Sequence, residues 1–201
     1  MKVFVLFSLL LVIPASQGKK AELDLSKSCI EEYKKVLLNY NDEKGTCTRL
    51  QIFIDCLSKR PELSGQMLDA MRYFFTQQAI FVEKLKFCPE IEYKDIKQIT
   101  DKTDFAKQHL YLDRIKYDDS DQCAVEVHKT CVRHYVHLFS KEKKICDDVT
   151  AWINCYRTES TNTGCKADII LHFSKMLEVV GGLVIREIRR YAGTECLKME
   201  L

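Results

Sequence analysis

The sequence predicts an all-α protein made of two tandem three-helix units, each stapled by disulfides, with a short helical linker between them. Three observations predict it. Apolar residues recur at helical spacing through most of the chain. Two stretches match each other around their cysteines. Glycine and proline are scarce, at 7 and 3 among 201 residues, too few for the many tight turns of an all-β fold.

The internal match is the strongest of the three. Cys29 to Tyr33 aligns with Cys131 to Tyr135. Cys47 to Cys56 aligns with Cys146 to Cys155, each pair enclosing eight residues. Within that second match Leu50 faces Val149, Phe53 faces Trp152, Ile54 faces Ile153 and Asp55 faces Asn154. A duplication is therefore expected, with a leader at 1–18, a first unit at 19–89, a linker at 90–119 and a second unit at 120–201.

In the first unit a helix is expected near 26–41, with Ser28 and Glu31 as a capping box and Leu25, Cys29, Val36, Leu37 and Tyr40 on its core face. A second is expected near 47–59, where Thr48 and Gln51 repeat the capping pattern. Pro61 ends it and fits the first position of a third helix. That helix carries Leu63, Met67, Met71, Phe74, Phe75, Val82 and Leu85 and stops at Pro89, after Cys88. In the linker, Phe105, His109, Leu112 and Ile115 are spaced for one connecting helix.

In the second unit Cys123, Val127, Cys131, Tyr135 and Leu138 share a helical face. Residues 146–156 form the short middle helix. Ile170, Phe173, Leu177, Val180, Val184, Ile188 and Tyr191 line the last one, which Gly181 and Gly182 interrupt for close packing or a kink.

Helix geometry then restricts the cysteines. Nine steps turn about 900°, so Cys47 and Cys56 lie on opposite faces of one helix and cannot pair. In an up-down-up array the start of one helix lies beside the end of the next. That pairs Cys29 with Cys56, Cys47 with Cys88, Cys131 with Cys155 and Cys146 with Cys196. Cys123 and Cys165 extend the same antiparallel register and pair with each other.

Residues 1–18 have the pattern of a secretory leader: Lys2, an apolar run from Val3 to Ile13, Pro14, and small residues Ser16 and Gly18 ahead of a cut before Lys19. The apolar run falls short of the roughly 20 residues that span a bilayer, and no later stretch reaches that length. An even set of 10 cysteines fits an oxidising, extracellular setting. Lys+Arg 31 against Asp+Glu 29 leaves +2, which excludes a charge-driven nucleic-acid binder.

Chemical motifs are sparse. His134 and His137 are one helical turn apart, with His128 six residues earlier, but no further ligand is placed for zinc. Asp118, Asp119 and Asp121 lack the central glycine and closing glutamate of a calcium loop, and Ser120 or Asp121 reads as a helix cap. No nucleophile elbow, P-loop or dinucleotide fingerprint is present, and with every cysteine bridged no thiol nucleophile remains. No enzyme activity and no cofactor are expected. The Cys-x8-Cys spacing is similar to one in insect odorant-binding proteins. Their Cys-x3-Cys pair is missing here, so no family function is carried over.

Two features remain as candidate sites. Arg186, Arg189 and Arg190 form one basic helical face suited to an anionic partner. Met67, Met71, Phe74 and Phe75 form an apolar stretch suited to a pocket. The leading expectation is a secreted, monomeric, non-enzymatic protein of the kind found in venom or saliva, acting on an extracellular protein target. The alternative is an extracellular carrier of a small apolar ligand held between helices.

Overall fold

A computed structural model describes residues 13–40, 42, 45–118, 121–142 and 145–186. Among the described residues the regular elements are all helices, with no strand. In the first half α1 spans Ile13–Asn39, α2 Gly45–Ser58 and α3 Gln66–Lys84. The linker holds α4 at Lys94–Thr100, α5 at Asp104–Lys107 and a 3-10 turn at Leu112–Arg114. The second half holds α6 at Gln122–Glu142, α7 at Ile145–Thr163 and α8 at Asp168–Met176, followed by a π-helical turn at Leu177–Gly181.

The helices form as the apolar periodicity requires, but several ends differ from the sequence reading. Ser28 and Glu31 cap nothing: α1 is already helical from Ile13, inside the segment read as a leader, and Ser28 is an exposed mid-helix residue. Thr48 and Gln51 do not start α2 either. Asp42 does, its carboxylate accepting the Gly45 N–H at 2.7 Å. Gln51 instead brackets the linker, donating to the Glu92 carbonyl at 2.9 Å and accepting the Glu92 N–H at 2.8 Å.

Pro61 lies in a turn, and α3 starts later, at Gln66. The reason is Arg72. Its fully buried guanidinium donates to the carbonyls of Leu57 (3.0 Å), Leu63 (2.6 Å) and Arg60 (2.8 Å). The first belongs to the last turn of α2 and the other two to the connection that follows, so the chain between α2 and α3 is wrapped around the charge.

The linker is not one helix. Thr103 accepts the Ala106 N–H at 3.1 Å and starts α5 afresh, and Thr100 and Thr103 turn their hydroxyls onto the Ile96 and Thr100 carbonyls. Such local bonds compete with a continuous helix. In the second half α7 runs past Tyr156 to Thr163. No glycine or proline intervenes until Gly164, whose φ of +65° closes the helix. The last helix breaks at the expected place: a Cβ on Gly181 would lie 2.8 Å from Ile153 Cδ1 and 3.0 Å from Phe74 Cε2, so glycine is what lets this turn approach α3 and α7.

Four bridges are present: Cys29–Cys56, Cys47–Cys88, Cys123–Cys165 and Cys131–Cys155. They are four of the five pairs that antiparallel packing requires. The fifth, Cys146–Cys196, lies outside the described residues. Each bridge stays within one half. The halves meet through a single apolar core, in which Phe81 of α3 stacks on Phe173 of α8 with centroids 3.7 Å apart.

Arg72 gives this architecture a direct test. Arg72→Met removes three charge-assisted hydrogen bonds, one of them to the buried Leu57, and should lower the unfolding free energy by about 3 kcal/mol. Arg72→Lys should recover only part, since an ammonium cannot reproduce the planar fork. Urea unfolding of both variants checks the order.

Candidate functional site

The seam between the halves holds a partly open apolar cavity of about 110 Å³. The first half supplies Ile30 and Tyr33 from α1, Leu50 and Phe53 from α2, and Phe74 and Phe75 from α3. The second half supplies His128, Val132 and Tyr135 from α6 and Val149 and Trp152 from α7, with Gly181, Val184 and Ile185 closing the wall. The aromatic rings support one another. Phe53 meets Tyr33 at 5.1 Å and Phe75 at 4.3 Å, and Phe74 meets Phe75 edge-on at 5.0 Å.

Of the apolar stretch read as suited to a pocket, Phe74 and Phe75 line this cavity. Met67 and Met71 do not. Both are buried in the core and neither lines the cavity, because α3 turns them toward other neighbours. Of the basic face, Arg186 is exposed, while Arg189 and Arg190 lie outside the described residues. The three histidines of α6 do not converge: His128 is buried, and His134 and His137 are exposed. Among the described residues no group of three metal-ligating side chains is placed to hold an ion.

Polar groups on the wall are few. Thr46, Arg49 and Gln78 line it beside His128, and the Arg49 guanidinium is engaged, donating to the Tyr40 and Asp42 carbonyls and to the Thr46 hydroxyl at 2.8 Å. His128 differs. Its Nδ1 lies 2.7 Å from the Tyr156 hydroxyl oxygen. Its Nε2 is buried with no hydrogen-bond partner. The imidazole is packed against Phe87 at 4.4 Å and Phe81 at 5.3 Å, both edge-to-face. Burial in this apolar setting pushes its pKa from 6.5 down to about 3, so the ring is neutral.

The second-half wall was legible but passed over. His128, Val132 and Tyr135 stand at i, i+4 and i+7, the spacing of one helical face. The metal-type spacing of His134 and His137 drew attention to the opposite, solvated side.

The neutral histidine has a sign that can be checked. Unfolded, His128 takes up a proton near pH 6.5. Folded, it does not until about pH 3. Its contribution is therefore whole above pH 6.5 and is lost as the pH falls through that window, by about 2 kcal/mol between pH 7 and 5. Urea midpoints should drop over that range, and His128→Phe should drop less than the native protein. Compared with protein-family models, curated proteins and solved structures, the chain matches none of them, so the reading of the cavity rests on its own walls.

Proposed function

We propose that this protein is a secreted, non-enzymatic carrier of a small apolar ligand, held in the cavity between its two helical halves. The observation that carries the reading is the cavity itself, with aromatic and aliphatic walls contributed by both halves. Dense native interiors seldom leave such a space, and an apolar cavity of about this size accepts a single aromatic ring or about six carbon atoms. The export of the chain is supported by the leader-like pattern of residues 1–18 and by four disulfides. Among the described residues no helix is long and apolar enough to cross a membrane.

A duplicated ancestor fits the same reading. Cys29–Cys56 and Cys131–Cys155 tie equivalent helices. Phe53 and Trp152 are buried at matching positions, and both line the cavity. The other use of such a scaffold, an effector docking on a protein target, draws support from its rigidity but from no contact face among the described residues.

Native mass spectrometry of the protein secreted by its own cells tests the proposal. A chain beginning at Lys19, ten hydrogens lighter than its reduced form, should carry an added nonpolar mass that leaves on denaturation. In parallel, toluene and indole should raise the melting temperature of the purified protein. Val184→Phe, which places a ring in the space, should abolish that shift while leaving the fold intact. No response of the native protein to either compound would rule the carrier out and return the protein-target reading to the front.

A further inference from the structure

The carrier reading leaves open which apolar molecules the cavity takes, and the His128 wall answers that question. Trp152 packs edge-on against Tyr156, with ring centroids 5.3 Å apart. The hydroxyl proton of Tyr156 has the His128 Nδ1 as its acceptor, 2.7 Å away. Tyr156 is itself fully buried, so this proton has no water to turn to. A neutral imidazole carries one proton. With Nδ1 accepting, that proton sits on Nε2. The Tyr156–His128 pair therefore ends in an N–H at a residue that is 1% exposed, lines the cavity, and finds no protein acceptor.

We propose that His128 Nε2–H is the specificity determinant of the cavity, donating a hydrogen bond to a ligand that carries one acceptor oxygen on a small apolar body, such as a ring-sized ketone, aldehyde or ester. The proposal rests on the carrier reading and adds the class of ligand to it. The Tyr156–His128 pair fixes the direction of selection. A carbonyl oxygen satisfies the donor. A hydrocarbon of the same shape fills the space and leaves the donor unpaired. A ligand whose polar atom only donates cannot meet it. Buried donors discriminate strongly because the unpaired group bears its full desolvation cost. A fixed imidazole held by Tyr156 and by the rings of Phe81 and Phe87 also loses little freedom on binding.

Matched ligand pairs separate this proposal from the reading beneath it. Cyclohexanone against cyclohexane, and benzaldehyde against toluene, differ chiefly in the acceptor. Calorimetric titration of the native, disulfide-intact protein should show the carbonyl member of each pair binding at least tenfold more tightly, over and above their difference in water solubility. His128→Phe should bind the hydrocarbons as before and lose the preference. Tyr156→Phe, which frees Nδ1 to carry the proton, should weaken the preference without removing the cavity. Hydrocarbon binding with no carbonyl preference in the native protein would overturn the proposal while sparing the carrier, and would mean that the N–H is spent on the face of Phe87. Absence of binding by every compound would overturn both. A preference retained in His128→Phe would assign the selection to another wall group and overturn the role given to His128. Circular dichroism and the urea midpoint of each variant establish that it is folded before its binding is compared.

Discussion

Helix α3 is buried on every side, and this constraint organises the rest of the molecule. A helix in that position must satisfy each polar side chain from within the protein. Arg72 is the most demanding, a full charge with no access to water. Three carbonyls from the end of α2 and the connection to α3 answer it. On the linker side Tyr73 donates to the Leu110 carbonyl, Thr76 bonds Thr100 at 3.2 Å, and Gln77 accepts the Leu112 N–H at 2.7 Å. The loop before α3 and the linker after it take their paths from these groups. The apolar residues of α3 make it a core helix. Its polar residues decide what is wrapped around it.

Against that centre the disulfides have a restricted task. All four join elements within one half, and each contributes on the order of 2–4 kcal/mol by limiting the unfolded chain. Among the described residues, the seam between halves is closed by apolar packing, such as Phe81 on Phe173, and by the linker. Local opening is cheapest where packing is least dense and no cross-link intervenes. The cavity lies on that seam. Rigid halves and an unstapled junction are what a buried apolar site requires if a ligand is to enter without unfolding its walls.

The cysteine pairing was legible because it depends on angles that any helix must obey. Nine steps put Cys47 and Cys56 on opposite faces whatever surrounds them. Helix ends were less legible because short capping patterns are common. Ser28 with Glu31 satisfied the pattern inside a helix that had begun at Ile13, while Asp42, which does start α2, stood in no box. The linker looked like one helix by periodicity. Its threonines bond to the backbone, which periodicity does not register. Phe74 and Phe75 were foreseen at a pocket and Met67 and Met71 were not separated from them, because spacing shows which residues share a face and not what that face meets. The wall from α6 and α7 depends on how two halves dock, and no local pattern encodes that.

The placement of the two costs at the seam is the strongest reason to read it as a site. A cavity forfeits packing energy in proportion to its size. A buried donor without an acceptor costs about 1–3 kcal/mol more. Packing defects of unrelated origin have no reason to fall on the same wall. Here the cavity, the unpaired Nε2 of His128 and the hydrogen-bonded pair that orients its ring meet within one junction. Filling the space with one larger side chain, and replacing His128 and Tyr156 together by apolar residues of similar shape, would both stabilise the isolated protein. A sequence that retains the space and the donor together forgoes that stability, and a ligand that fills one and satisfies the other restores it.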